Sequence, residues 1–201
     1  MDVIFATGNA GKLVEIREIM SDFIIKHDIN LISLKDAGIA ADIVEDGKTF
    51  EENALIKART ISKYTDCMVL ADDSGLEVDY LDKAPGVYSA RYLGEDTSYT
   101  VKNNHILKEL EGVADSDRSA RFVCVIACVM PDGKEIVSRG TIEGQIGYEI
   151  KGENGFGYDP IFYLPERGCT TAELSCEEKN IISHRGRALV KMMAALGDEL
   201  K

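Results

Sequence analysis

Positive charge is scarce in this chain. Its 23 Lys and Arg face 35 Asp and Glu, for a formal net charge of −12 at pH 7. A surface so acidic lacks the broad basic footprint that grips a nucleic-acid backbone, so no nucleic-acid partner is expected. Also missing is any apolar run near the ~18 residues of a membrane span. The first residues do not join a basic leader to a long apolar block. No membrane association is expected, and the cytoplasm is the expected setting. Among the five cysteines (Cys67, Cys124, Cys128, Cys169 and Cys176) there is no Cys-x-x-Cys pair, and no histidine stands at a metal-site spacing from them. Zinc and a disulfide framework are therefore disfavoured. The cysteines read as buried free thiols of a reducing compartment, with Cys124 and Cys128 on one face of a strand. No repeat, low-complexity stretch or linker divides the 201 residues, so a single domain over 1–201 is expected.

What is present is an alternation of apolar patterns. Residues 2–6 predict a strand, 12–23 a helix and 29–34 a second strand. Thr49 followed by Glu52 has the spacing of a capping box and opens a helix reaching about residue 64. The run "CMVLA" at 67–71 reads as a short strand buried on both faces, ending at Asp72-Asp73-Ser74-Gly75. A helix over 100–110 follows, then strands over 118–130 and 135–143 joined by Pro131-Asp132-Gly133, a hairpin signal. Residues 158–164 predict another strand. Ser175 with Glu178 forms a second capping-box pattern, and Ser183 starts a closing helix to about 196. Early alternation with a hairpin in the middle predicts a mixed α/β sheet.

Four stretches carry side chains suited to chemistry. Thr7-Gly8-Asn9-Ala10-Gly11-Lys12 joins a strand to a helix, but its glycines stand too close, and Leu13 follows the lysine, so it is no Walker A loop. Backbone N–H groups at the helix start, together with the Lys12 ammonium, can still converge on one anion, with Thr7 and Asn9 adding hydrogen bonds. The same residues also read as a plain turn with Asn9 as cap. Asp72 and Asp73, at the carboxyl end of a buried strand, suit Mg²⁺ beside a phosphate, or else a solvated turn with Gly75 at positive φ. Gly155-Phe156-Gly157-Tyr158-Asp159-Pro160 leaves an aromatic face open for stacking on a base; Asp159, extended before Pro160, could accept from a base N–H. The alternative is a glycine-kinked strand entry with core aromatics. Lys179 with Ser183-His184-Arg185 gathers cations at a helix entrance, where the helix dipole disfavours them unless an anionic or carbonyl-rich ligand compensates. A solvated charged corner is the other reading.

Taken in order, "TGNAGK", "FEENALIKAR", "ADDSGLEVD", "APGVYSARY", "GFGYDPIF" and "EEKNIISHRGRAL" resemble the inosine triphosphate pyrophosphatases, the Ham1-like family, over nearly the whole chain. The resemblance implies an elongated mixed sheet flanked by helices, two lobes with the active cleft between them, and a homodimer. It implies hydrolysis of ITP, dITP and XTP to the monophosphate and pyrophosphate. In that reading Thr7, Gly8, Asn9, Ala10, Gly11 and Lys12 hold the triphosphate, helped by Lys57 and Ser74. Glu45 (or its neighbour Asp46) and Asp73 bind Mg²⁺, Asp73 also accepts the proton of the attacking water, and Asp72 supports it. Phe156 stacks on the base, Gly157, Tyr158 and Asp159 line its pocket, and Lys179, His184 and Arg185 recognise the base and its 6-oxo group. Two other readings remain: a Maf-like pyrophosphatase with another base preference, and a nucleotide-binding module without catalysis.

Overall fold

A computed structural model describes residues 1–200; Lys201 and the side chain of Ala10 lie outside the described residues. The strands are β1 (Asp2–Phe5), β2 (Asn30–Ser33), β3 (Met68–Val78), β4 (Ser119–Val129), β5 (Glu135–Ile146), β6 (Phe162–Leu164) and β7 (Cys169–Thr170). The helices are α1 (Ala10–Ile19), α2 (Ser21–Lys26), α3 (Phe50–Ser62), α4 (Tyr99–Glu109), α5 (Cys176–Ile182) and α6 (His184–Glu199). The strands hydrogen-bond in the order β2-β1-β3-β4-β5-β6-β7. β1 pairs in parallel with both β2 and β3, whereas β6 pairs antiparallel with β5 and β7. The sheet is thus mixed, as the alternation of elements predicts. The β4–β5 turn closes with Met130 N–H donating to Lys134 O at 2.9 Å.

The chain divides into two compact units. The first comprises residues 1–73, 124–140 and 184 onward. Its core brings Val3 and Phe5 of β1, Ile16 of α1, Leu70 of β3, and Leu189 and Met192 of α6 together. Each fully buried aliphatic side chain of this kind stabilises by about 1.5–3 kcal/mol. β5 passes the first turns of α6 at Gly140, where a Cβ would stand 2.2 Å from His184 O and 2.4 Å from Ala188 N. The second unit comprises residues 74–123 and 141–183. Leu76, Ile106 of α4, Phe122, Ile142, Tyr158 and Phe162 fill its core, the two phenylalanine rings 4.4 Å apart.

Five expectations need correction. The helix expected over 12–23 is two helices, because Met20 takes φ −90°, ψ 2° and re-aims the chain so that Phe23 and Ile24 still reach the core. Thr49 does cap α3 by accepting from Glu52 N–H, but the Glu52 carboxylate turns to Lys48 N–H, so the box does not close. The Ser175–Glu178 box closes in both directions. Residues 158–161 are no strand: Asp159 opens a 3-10 turn, Asp159–Ile161, instead of standing extended before Pro160. The largest difference is β3, which does not end at Ala71 but runs through Asp72, Asp73, Ser74 and Gly75 to Val78. Local turn chemistry loses because these buried carboxylates meet cations of other elements. The cysteines divide: Cys124 and Cys128 are buried and their thiols are pushed up to about 12 by desolvation, while Cys176 is exposed. Among the described residues no helix is long and apolar enough to cross a membrane.

Candidate active site

Successive side chains on a strand face opposite ways, and that alternation organises the charged residues of the first unit. Asp72 meets Lys12 of α1 at 2.7 Å and Arg185 of α6 at 3.9 Å. Asp73 meets α3 instead, accepting from Lys57 Nζ at 3.1 Å and from Asn53 Nδ2 at 3.3 Å. Lys57 also donates to Glu45 Oε2 at 2.7 Å, so its ammonium bridges two carboxylates. Asn53 Oδ1 accepts from Gly47 N–H at 2.9 Å, which ties the loop bearing Glu45 to α3. Arg185 is 2 % exposed and ion-paired with Glu15.

Burial alone would raise the Asp72 carboxyl, but Lys12, Arg185 and Lys57 together hold it below the usual carboxylate range. For Asp73 burial prevails over the pull of Lys57 and Lys12, with Glu45 adding to it, and its carboxyl is raised. Lys57 is desolvated, yet Asp73, Asp72 and Glu45 keep it firmly charged.

In the loop after β1, Thr7 Oγ1 accepts from Asn9 N–H and Asn9 Oδ1 from Lys12 N–H, both at 3.2 Å. Asn9 is therefore the N-cap of α1. Gly8 borders open space, and Gly8 and Gly11 are exposed. A divalent cation fits beside this loop by the chemistry of its donors. Glu45 and Asp73 already turn hard oxygens on one cation, the Lys57 ammonium, and one or two carboxylates are what Mg²⁺ ordinarily takes from a protein. Asp46 is exposed, and the Lys57 contact is made by Glu45. No group of three or more His, Cys, Asp or Glu suited to a metal occurs among the described residues.

The second unit gathers a different set. Asp159 is buried and its Oδ2 accepts from Lys179 Nζ at 2.6 Å and from Phe156 N–H at 2.9 Å, while Oδ1 accepts from Thr171 Oγ1 at 2.8 Å. Lys179 Nζ lies 5.0 Å from the Phe156 ring centroid. Gly155 must be glycine here: its φ is +73°, and a Cβ would stand 2.3 Å from Asp159 Oδ2. Tyr158 donates its hydroxyl to Ser89 O at 2.8 Å and meets Tyr99 edge-on. Ser74 is half-buried in β3.

The site residues therefore fall into two groups. Thr7, Gly8, Asn9, Gly11, Lys12, Glu45, Lys57, Asp72, Asp73, His184 and Arg185 belong to the first unit; Ser74, Phe156, Gly157, Tyr158, Asp159 and Lys179 belong to the second. The alternative reading of Lys179 and Arg185 as a solvated corner fails, since both are buried, Lys179 pairing with Asp159 and Arg185 with Glu15. Sequence reasoning missed Glu15, Asn53 and Thr171. Glu15 lies three residues after Lys12 and Asn53 four before Lys57, each on the helix face of its lysine, a spacing that could have flagged them. Nothing in the sequence marked Thr171.

These features define a class: an α/β protein whose strand-borne carboxylates are held against mobile-length lysines beside a helix-opening loop, the chemistry of a phosphate-handling hydrolase. The Ham1 family model matches residues 3–195. A dITP/XTP pyrophosphatase of Clostridium perfringens is 50 % identical over 204 residues, covering 98 % of both chains, and one of Bacillus licheniformis is 50 % identical, covering 97 % of both. The solved Ham1 protein of Staphylococcus aureus has a TM-score of 0.88 at 41 % identity, covering 99 % of this chain and 100 % of its own. The chain belongs to the Ham1 family.

Proposed function

We propose that this protein hydrolyses deaminated purine nucleoside triphosphates (ITP, dITP and XTP) to the monophosphate and pyrophosphate. The relatives' names support the substrate class. The observation that carries the chemistry is Lys57 bridging Glu45 and Asp73, beside a loop whose Lys12 neutralises Asp72. In this reading Thr7, Gly8, Asn9, Ala10, Gly11 and Lys12 hold the triphosphate with Lys57 and Ser74, and Glu45 and Asp73 hold Mg²⁺. When bound, Mg²⁺ supplies charge neutralisation and polarises phosphoryl oxygens. Water attacks the α-phosphorus, its proton passes to Asp73, the bond to the β-phosphate bridging oxygen breaks, and pyrophosphate leaves. A raised Asp73 carboxyl suits that role, since a base works best with a pKa closer to the working pH. No cysteine is needed as nucleophile.

Phe156 stacks on the base, Gly157, Tyr158 and Asp159 line its pocket, and Lys179, His184 and Arg185 read it. Hypoxanthine and xanthine offer O6 as acceptor and N1–H as donor; adenine reverses both. A cation aimed at O6 would face adenine's amino group unpaired, a mismatch worth up to ~10⁴-fold. Asp159 and Glu15, with Asp72 farther off, supply the counter-charges that fix Lys179 and Arg185 beforehand. The homodimer and the cytoplasmic setting implied by the family likeness belong to this reading, and no nucleic acid or membrane does. Incubation with ITP, XTP, ATP and GTP plus Mg²⁺ tests it. Pyrophosphate release from ITP and XTP, with ATP left nearly intact, is expected. Orthophosphate as product, or ATP consumed as fast as ITP, would refute it.

A further inference from the structure

One buried polar residue of the second unit serves neither core packing nor any role assigned above. Asn103, on α4, is 3 % exposed. Its Nδ2 donates to Gly157 O at 3.1 Å. Gly157 O can only accept, so the amide orientation is fixed, and Oδ1 is left buried without a hydrogen-bond partner. A buried acceptor in that state disfavours folding, whereas an apolar residue of similar volume would not. The polar side chain is costly where it stands, and what it obtains is a grip on one carbonyl.

That carbonyl belongs to a peptide with unusual freedom. Gly155 and Gly157 flank Phe156 with φ of +73° and +70°, so the backbone on both sides of the ring lacks the restraint of a Cβ. Two side chains restore it. Asp159 Oδ2 receives Phe156 N–H, and Asn103 Nδ2 holds Gly157 O. Asp159 is shared with Lys179; Asn103 has no such second task. The adjacent Lys102 donates to Ala90 O at 2.6 Å, and Tyr99 lies 3.6 Å from where a Gly157 Cβ would be. α4 is thereby anchored on the side from which Asn103 reaches.

We propose that Asn103 is a positioning residue for base recognition: through Gly157 O it fixes the angle at which Phe156 presents its ring to a purine. The inference rests on the function proposed above. Its test is therefore run only after wild-type enzyme has released pyrophosphate from ITP; failure at that first step removes the function, not the role of Asn103. Asn103→Ala and Asn103→Leu, the second keeping volume, are compared with Ile106→Val, a core lesion on the same helix. For both Asn103 variants KM for ITP should rise about tenfold, what losing one hydrogen bond of about 1.4 kcal/mol produces. kcat and the inhibition constant of inorganic tripolyphosphate, which has no base, should stay unchanged. Ile106→Val should lower the melting temperature and leave KM alone. An unchanged KM in the Asn103 variants, a parallel loss of tripolyphosphate affinity, or failure of both variants to fold would overturn the proposal.

Discussion

The two charged clusters of this molecule are built on opposite plans. In the cluster of the first unit charges share partners: Lys57 serves Glu45 and Asp73, Arg185 meets Glu15 and Asp72, and Asp72 feels Lys12, Arg185 and Lys57. Lys12 keeps 18 % of its side chain exposed. In the second unit one carboxylate, Asp159 at 3 % exposure, holds Lys179 at 7 % and also pins a backbone N–H and a threonine hydroxyl. A cluster with several alternative pairings can give up one partner to an incoming anion and keep its charges balanced. A carboxylate whose two oxygens already hold an ammonium, a backbone N–H and a hydroxyl has less to give up, but it holds geometry. The first plan suits phosphates that arrive and depart, the second suits discrimination between ring systems.

Substitutions can break this contrast. Asp73→Asn should lower kcat by about 10³-fold while nucleotide binding persists, as expected when a general base is removed. Single-turnover kinetics beside a binding titration would measure both, and retained turnover would strip the first cluster of its reactive role. Asp159→Asn should act chiefly on stability. It takes the Asp159 charge away from a buried ammonium, a loss of about 3–5 kcal/mol, read by denaturant unfolding. Were the melting curve unmoved, the second cluster would not be the rigid one. The smallest effect is expected at Arg59, which meets Glu135 at the same 2.6 Å as Lys179 meets Asp159 but is 54 % exposed. Arg59→Ala should cost about 1 kcal/mol or less, because water screens the pair. A larger loss would mean that separation, not burial, sets these energies.

The elements legible in the sequence were those whose signals are local. Ser175 and Glu178 satisfy each other's backbone within one helical turn, and Pro131-Asp132-Gly133 reverses the chain on its own chemistry. Asp72 and Asp73 show the limit. Alone they are turn formers, and only lysines and an arginine from three other elements allow them to lie buried in an unbroken strand. Those cations are up to more than a hundred positions away, and spacing cannot announce them. Asp159 drew attention through its place in "GFGYDP", but its conformation was not legible there. The carboxylate draws in Phe156 N–H, Thr171 and Lys179, and a 3-10 turn replaces the extended form that Pro160 alone would favour.

The close passage of β5 under α6 at Gly140 carries an evolutionary corollary. With less than van der Waals distance between a would-be methyl group and His184 O, even alanine would shove the opening of α6 outward, and Arg185 with it. A position outside the proposed site is thereby yoked to residues proposed to read a nucleotide, and drift there should be as tightly policed as at the carboxylate proposed to react.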